Sequence, residues 1–188
     1  MLLLVSGLLL WAVIHFVPVL APHFRQAAIV NIGQPLWRVL FATIVFSALF
    51  LIVTGWRSIV PTPVWLPPTW TRHITMLLVP IAIILLSATF LPTDLKRFIR
   101  QPQLAGLKLW ATAHLLCNGE LRSIILFGGF LFWAVLQLIF TKRYAGRSWT
   151  EAKPYGWFKT LASSVIGLIV SAVLAFTHVY FTGVPLLP

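Results

Sequence analysis

Two histidines close the same nine-residue phrase, each deep in an apolar stretch. Gly7-Leu8-Leu9-Leu10-Trp11-Ala12-Val13-Ile14-His15 reappears as Gly106-Leu107-Lys108-Leu109-Trp110-Ala111-Thr112-Ala113-His114. Leucine matches are cheap in such a chain, but Gly, Trp and His recurring at one spacing are not. On a helix, positions i, i+4 and i+8 share roughly one face. Each copy therefore presents a small residue, a flat aromatic and an imidazole in one stripe. An ionisable residue inside a membrane segment marks a candidate functional site. Two in matching settings suggest a planar ligand held between two helices.

The chemistry open to such a pair is axial ligation of a haem. Imidazole suits iron and is a standard axial ligand; Trp11 and Trp110 would pack on the porphyrin, with Gly7 and Gly106 letting it approach the backbone. Any catalysis would run at His15 and His114. The competing reading keeps both imidazoles as hydrogen-bonded packing residues, and the residues alone leave the two side by side. Cys117 is three residues beyond His114 on the same face, within reach of that pocket or simply filling a helix contact. His73 and His178 lie towards the opposite end of their segments from the basic connections. With Arg72 they are secondary cofactor-binding candidates, Arg72 by charge-assisted pairing with a propionate or merely as an interfacial anchor. Structural zinc wants four ligands, and one thiol does not provide a thiolate set.

Several other chemistries find no residues. The acids are Asp94, Glu120 and Glu151, none mid-membrane, which argues against an acidic proton-coupled transporter and against paired-carboxylate hydrolysis. Glu120, with Asn118 and Arg122, forms a small polar cluster suited to capping a turn.

Composition places these histidines in lipid. The chain is 60% hydrophobic and 9% charged, with mean hydropathy +0.96; soluble domains carry about 25% charged residues. This is an all-α, polytopic membrane protein. The net charge of +11 does not indicate nucleic acid, because the basic residues lie between apolar runs rather than on a soluble module. One cysteine excludes an intramolecular disulfide framework.

Six segments can position the repeat: Leu2–Leu20, Pro35–Val53, Arg72–Phe90, Pro102–Asn118, Leu121–Phe140 and Phe158–Phe181. The first lacks a basic leader and a clean cleavage site, so it reads as a retained helix rather than a signal peptide. The fourth is short and carries Lys108, which snorkels readily. Asn118-Gly119-Glu120 reads as a tight turn using residues that tolerate positive φ. Of the 14 Lys and Arg, all but Arg57, Arg72 and Arg122 fall on the side reached by the first, third and fifth connections. That bias makes this side cytoplasmic and leaves both termini outside, in the periplasm for a bacterial inner membrane protein. No separate soluble domain remains, so residues 1–188 read as one transmembrane domain. The two copies of the phrase then run antiparallel, as a three-plus-three inverted repeat demands; convergence on a shared ligand-holding pattern explains the phrase equally.

From Leu109 to Leu121, and on through Leu126-Phe127-Gly128-Gly129-Phe130-Leu131, the chain resembles the NnrU family. Gly33 to Phe41, Pro67 to His73, and His178 with Gly183-Val184-Pro185 agree with the same pattern, so the resemblance covers nearly the whole chain. It implies an integral membrane protein associated with denitrification and with nitrite and nitric oxide metabolism. The chain is also similar to the plant 15-cis-zeta-carotene isomerase, a haem-b enzyme. There the iron-ligating histidines align with His15 and His114. That relation implies the alternative activity, haem-dependent cis–trans isomerisation of a carotenoid-like polyene. Two features differ: Ala111 stands where the isomerase has cysteine, and Arg100-Gln101-Pro102 replaces its Arg-His-Pro.

Overall fold

The computed structural model describes residues 1–144 and 153–186; Arg147 and Glu151 lie outside the described residues. The described chain is helical: α1 (Leu2–Leu20), α2 (Pro22–Ile32), α3 (Gln34–Ser58), α4 (Thr71–Ala88), α5 (Leu95–Phe98), α6 (Pro102–Cys117), α7 (Leu121–Tyr144) and α8 (Trp157–Thr182). Five helices, α1, α3, α4, α7 and α8, are long and apolar enough to cross a bilayer. The fourth expected span is α6, of 16 residues. At 1.5 Å per residue it reaches about 24 Å, short of a core about 30 Å thick.

Proline and glycine punctuate the chain. Pro22, Pro35 and Pro102 stand in the first turns of α2, α3 and α6, where the missing N–H costs nothing. Gly33 (φ 82°) and Gly156 (φ 87°) precede α3 and α8, and Gly183 (φ 72°) closes α8 in the left-handed region. The stretch after α1, expected as a connection, is the 11-residue helix α2 with no buried residue. It is too short to span, and it carries His23 and Arg25.

Two compact units emerge, one from Met1–Val60 with Leu136–Arg147, the other from Pro61–Val135 with Ser148–Pro188. In the first, α1 and α3 pack antiparallel. A Cβ on Gly7 would come within 2.8 Å of the Ala48 carbonyl oxygen, and Gly55 lies against the Leu4 backbone. With no net hydrophobic drive between helices in lipid, such close backbone approach is what holds them.

The second unit uses the same device. Gly106 of α6 meets the Ala82 carbonyl oxygen and Leu86 of α4, and Gly167 of α8 meets Ile84 of α4. Of the 26 residues of α8, the buried ones are Ser163, Gly167 and Ser171, one stripe at i, i+4 and i+8. Asp94 accepts hydrogen bonds from the Tyr155 and Gly156 N–H groups, and its own N–H donates to Thr160 Oγ1. A carboxylate from before α5 thus anchors the two residues that lead into α8.

The joint between α6 and α7 departs from expectation. Gly119 has no positive φ; a side chain there would strike the Trp65 carbonyl. The Gly119 carbonyl accepts from Val64 and Trp65, and Leu121 N–H donates to Thr62. The proline- and tryptophan-rich connection is therefore stitched to this joint, and glycine is needed for approach rather than for dihedral freedom.

Candidate functional site

Both copies of the repeated phrase build the same local object. His15 Nδ1 lies 2.8 Å from the Trp11 carbonyl oxygen, and His114 Nδ1 lies 2.9 Å from that of Trp110. A carbonyl only accepts, so each Nδ1 carries the proton and donates it. The neutral ring then keeps its lone pair on Nε2, the form in which histidine ligates metals. The helix itself sets this tautomer, because position i−4 presents its carbonyl along the same face. The ring of Trp11 stacks on His15 at 4.2 Å between centroids and 26° between planes. Trp110 lies 4.9 Å from His114 at 51°.

Around His15 the structure is open. Phe41 of α3 meets the ring edge-on at 5.4 Å. Beyond it lies a cavity of about 500 Å³ lined by His15, Pro18, Val19, Pro22, Phe41, Gln137, Thr141 and Tyr144. Gln137, Thr141 and Tyr144 recur at i, i+4 and i+7 of α7, so amide, hydroxyl and phenol share one face.

Around His114 the structure is closed. Phe127, 5% exposed, stacks on the imidazole at 4.5 Å and 26°, and both Phe127 and Phe130 meet Trp110 edge-on. Thr75 of α4 donates to the Ala113 carbonyl at 2.7 Å. The His114 carbonyl accepts from Asn118 Nδ2 at 2.9 Å and weakly from Cys117 Sγ at 3.7 Å. Cys117 is thus tied to the backbone at the end of α6.

Of the remaining candidates, Arg72, His73, Gly106 and His178 lie in the second unit and Gly7 in the first. Arg72 and His73 are exposed on the first turn of α4. His178 donates from Nδ1 to the Val184 carbonyl at 2.9 Å, with Thr182 Oγ1 3.1 Å away. Gly7 and Gly106 face neighbouring helices, as described above. Arg122, expected in a polar cluster, is buried and paired with Glu120 at 2.8 Å. Among the described residues no three of His, Cys, Asp or Glu gather to hold a bare metal ion.

Sequence reading missed Phe41, Phe127, Gln137, Thr141 and Thr75 as neighbours of the histidines. Only Gln137 carried a signal, as an amide inside an apolar run.

The fold is that of a polytopic, all-α membrane protein in which the Trp–His pair is built twice, once in each unit. A family model described as NnrU protein matches residues 3–186. The chain belongs to the NnrU family. No curated protein and no solved structure matches it.

Proposed function

We propose that the protein binds haem b through His15 and His114 and serves nitrogen-oxide metabolism in the bacterial inner membrane. The observation that carries this reading is the twice-built Trp–His pair, with Nδ1–H held by a carbonyl and the lone pair left on Nε2. Haem suits such residues. The porphyrin brings four equatorial nitrogens of its own, so one or two imidazoles complete the iron, and a flat Trp flanks a macrocycle well. Bound haem would supply a one-electron redox centre and a binding site for a diatomic such as nitric oxide. The carbonyl bonds fix the plane of each imidazole, which a side chain left to rotate would not do. Arg72 and His73 offer a cation and a donor of the kind that pairs with propionates. Membership of the family supports the link to denitrification. The excess of basic residues on one side supports an orientation with both termini periplasmic, which reporter fusions at each terminus would check.

The cavity beside His15 favours a second reading, a haem-dependent cis–trans isomerase that admits a carotenoid-like polyene at that histidine. Incubation with a cis polyene, followed by analysis of its isomers, separates the two.

Absorption spectra of the purified chain, oxidised and dithionite-reduced, test haem binding. The expected result is a b-type spectrum that is lost or turned high-spin in His15→Ala and in His114→Ala, and kept in His178→Ala. Protein expressed with ample haem yet purified without it would overturn the proposal.

A further inference from the structure

The cavity beside His15 has a chemistry of its own, which the haem reading does not use. Its walls come from the end of α1, the start of α2, α3 and the last turns of α7. Pro18, Val19, Pro22 and Phe41 make an apolar, partly aromatic surface. Gln137 interrupts it: its Oε1 is buried and has no hydrogen-bond partner among the described residues. A buried amide oxygen left unsatisfied costs free energy that a bound donor would recover. The volume, about 500 Å³, lies within the usual range for a small-molecule site.

We propose that this cavity binds a lipid-soluble hydroquinone. The ligand must be apolar to reach a site among membrane helices and flat enough to lie against Phe41 and the proline edges. It must also carry a hydroxyl that donates to Gln137 Oε1. Thr141 and Tyr144, on the same face of α7, offer further hydroxyl partners. A hydrocarbon polyene meets the first two requirements and fails the third. A hydroquinone meets all three. Gln137 acts here as the specificity residue, accepting the hydrogen bond from the hydroxyl that distinguishes the quinol from its ethers.

The test titrates the purified full chain with a decyl-substituted benzoquinol and, separately, with its dimethyl ether. Saturable binding of one quinol per chain is expected, with the ether weaker by about tenfold, the scale of one unpaired buried acceptor. Gln137→Leu should lose about the same factor, whereas Thr43→Val, two residues from Phe41 and on another face of α3, should lose none. Equal binding of quinol and ether would overturn the proposal, as would the absence of saturable binding. So would tighter binding of a hydrocarbon polyene that Gln137→Leu leaves intact. The ether comparison uses the unaltered chain and does not depend on the variant folding. Haem spectra keep the two proposals apart: Gln137→Leu should retain the wild-type spectrum even where quinol binding is lost.

Discussion

The stations at His15 and His114 share a phrase, a tautomer and a glycine contact, yet their surroundings differ. His15 has Phe41 at its edge and a cavity beyond. His114 has Phe127 stacked on its face and hydrogen bonds at the carbonyls of Ala113 and itself. The helix bearing the phrase presents the imidazole; the neighbouring helices decide whether anything else can come near it. A repeated motif therefore transmits orientation, while access is set by residues outside the motif. On the proposed function this makes His114 the fixed station and His15 the one beside which a second molecule can lie.

The largest effects should fall where the stations are alike. Gly7 and Gly106 each lie against an alanine carbonyl and the aliphatic residue one turn on, Ile52 or Leu86. Leucine at either site has no space to enter and should cost about 3 kcal/mol, the upper end of ordinary overpacking. Thermal unfolding in detergent should show matched losses for Gly7→Leu and Gly106→Leu. A loss at one site only would mean that the two glycine contacts are not equivalent.

Aromatic truncation should then separate the stations. Phe127 is buried against two rings, so Phe127→Ala leaves a void within packed side chains. In lipid or detergent the transfer part of the usual penalty shrinks, because the surroundings are themselves apolar, and the packing part remains. About 2 kcal/mol is expected at Phe127. Phe41 is half-buried and borders a cavity already present, so Phe41→Ala should cost well under half as much. Equal losses in melting temperature would erase the distinction between open and closed.

Much of this was legible in the sequence, for physical reasons. Leu2–Leu20 was read with the bounds that α1 shows, because Ala21-Pro22 ends one helix and begins another. The ends of α3, α7 and α8 were underdrawn, since polar and aromatic residues such as Arg57, Lys142 and Thr182 continue a helix past its apolar core. Hydropathy passes over α2 because its 11 residues, with His23, Arg25, Gln26 and Asn31 among them, form no long apolar run. The Trp–His pairs were visible because i−4 spacing is local. Phe127, Gln137 and Thr75 were not, because which helix faces which depends on close contacts such as Gly106 against Ala82, and composition does not encode those pairings.

The smallest predicted effect tests what closes the second station. Thr75 Oγ1 reaches the Thr71 carbonyl of its own helix at 3.0 Å and the Ala113 carbonyl of α6 at 2.7 Å. The first bond is intrahelical, of the kind that Thr43 and Thr177 also make. The second links α4 to α6 one residue before His114. Interhelical bonds of this kind contribute about 0.6–2 kcal/mol in membranes, so Thr75→Val, which keeps the shape and removes the hydroxyl, should cost about 1 kcal/mol. Thr75→Ser should restore most of it. If the bond also holds the His114 backbone in register, Thr75→Val should change the His114 ring environment, read by NMR of the labelled imidazole, and leave that of His15 unaltered. A shift at both histidines, or at neither, would show that the hydroxyl only joins two helices and does not set the closed station apart from the open one.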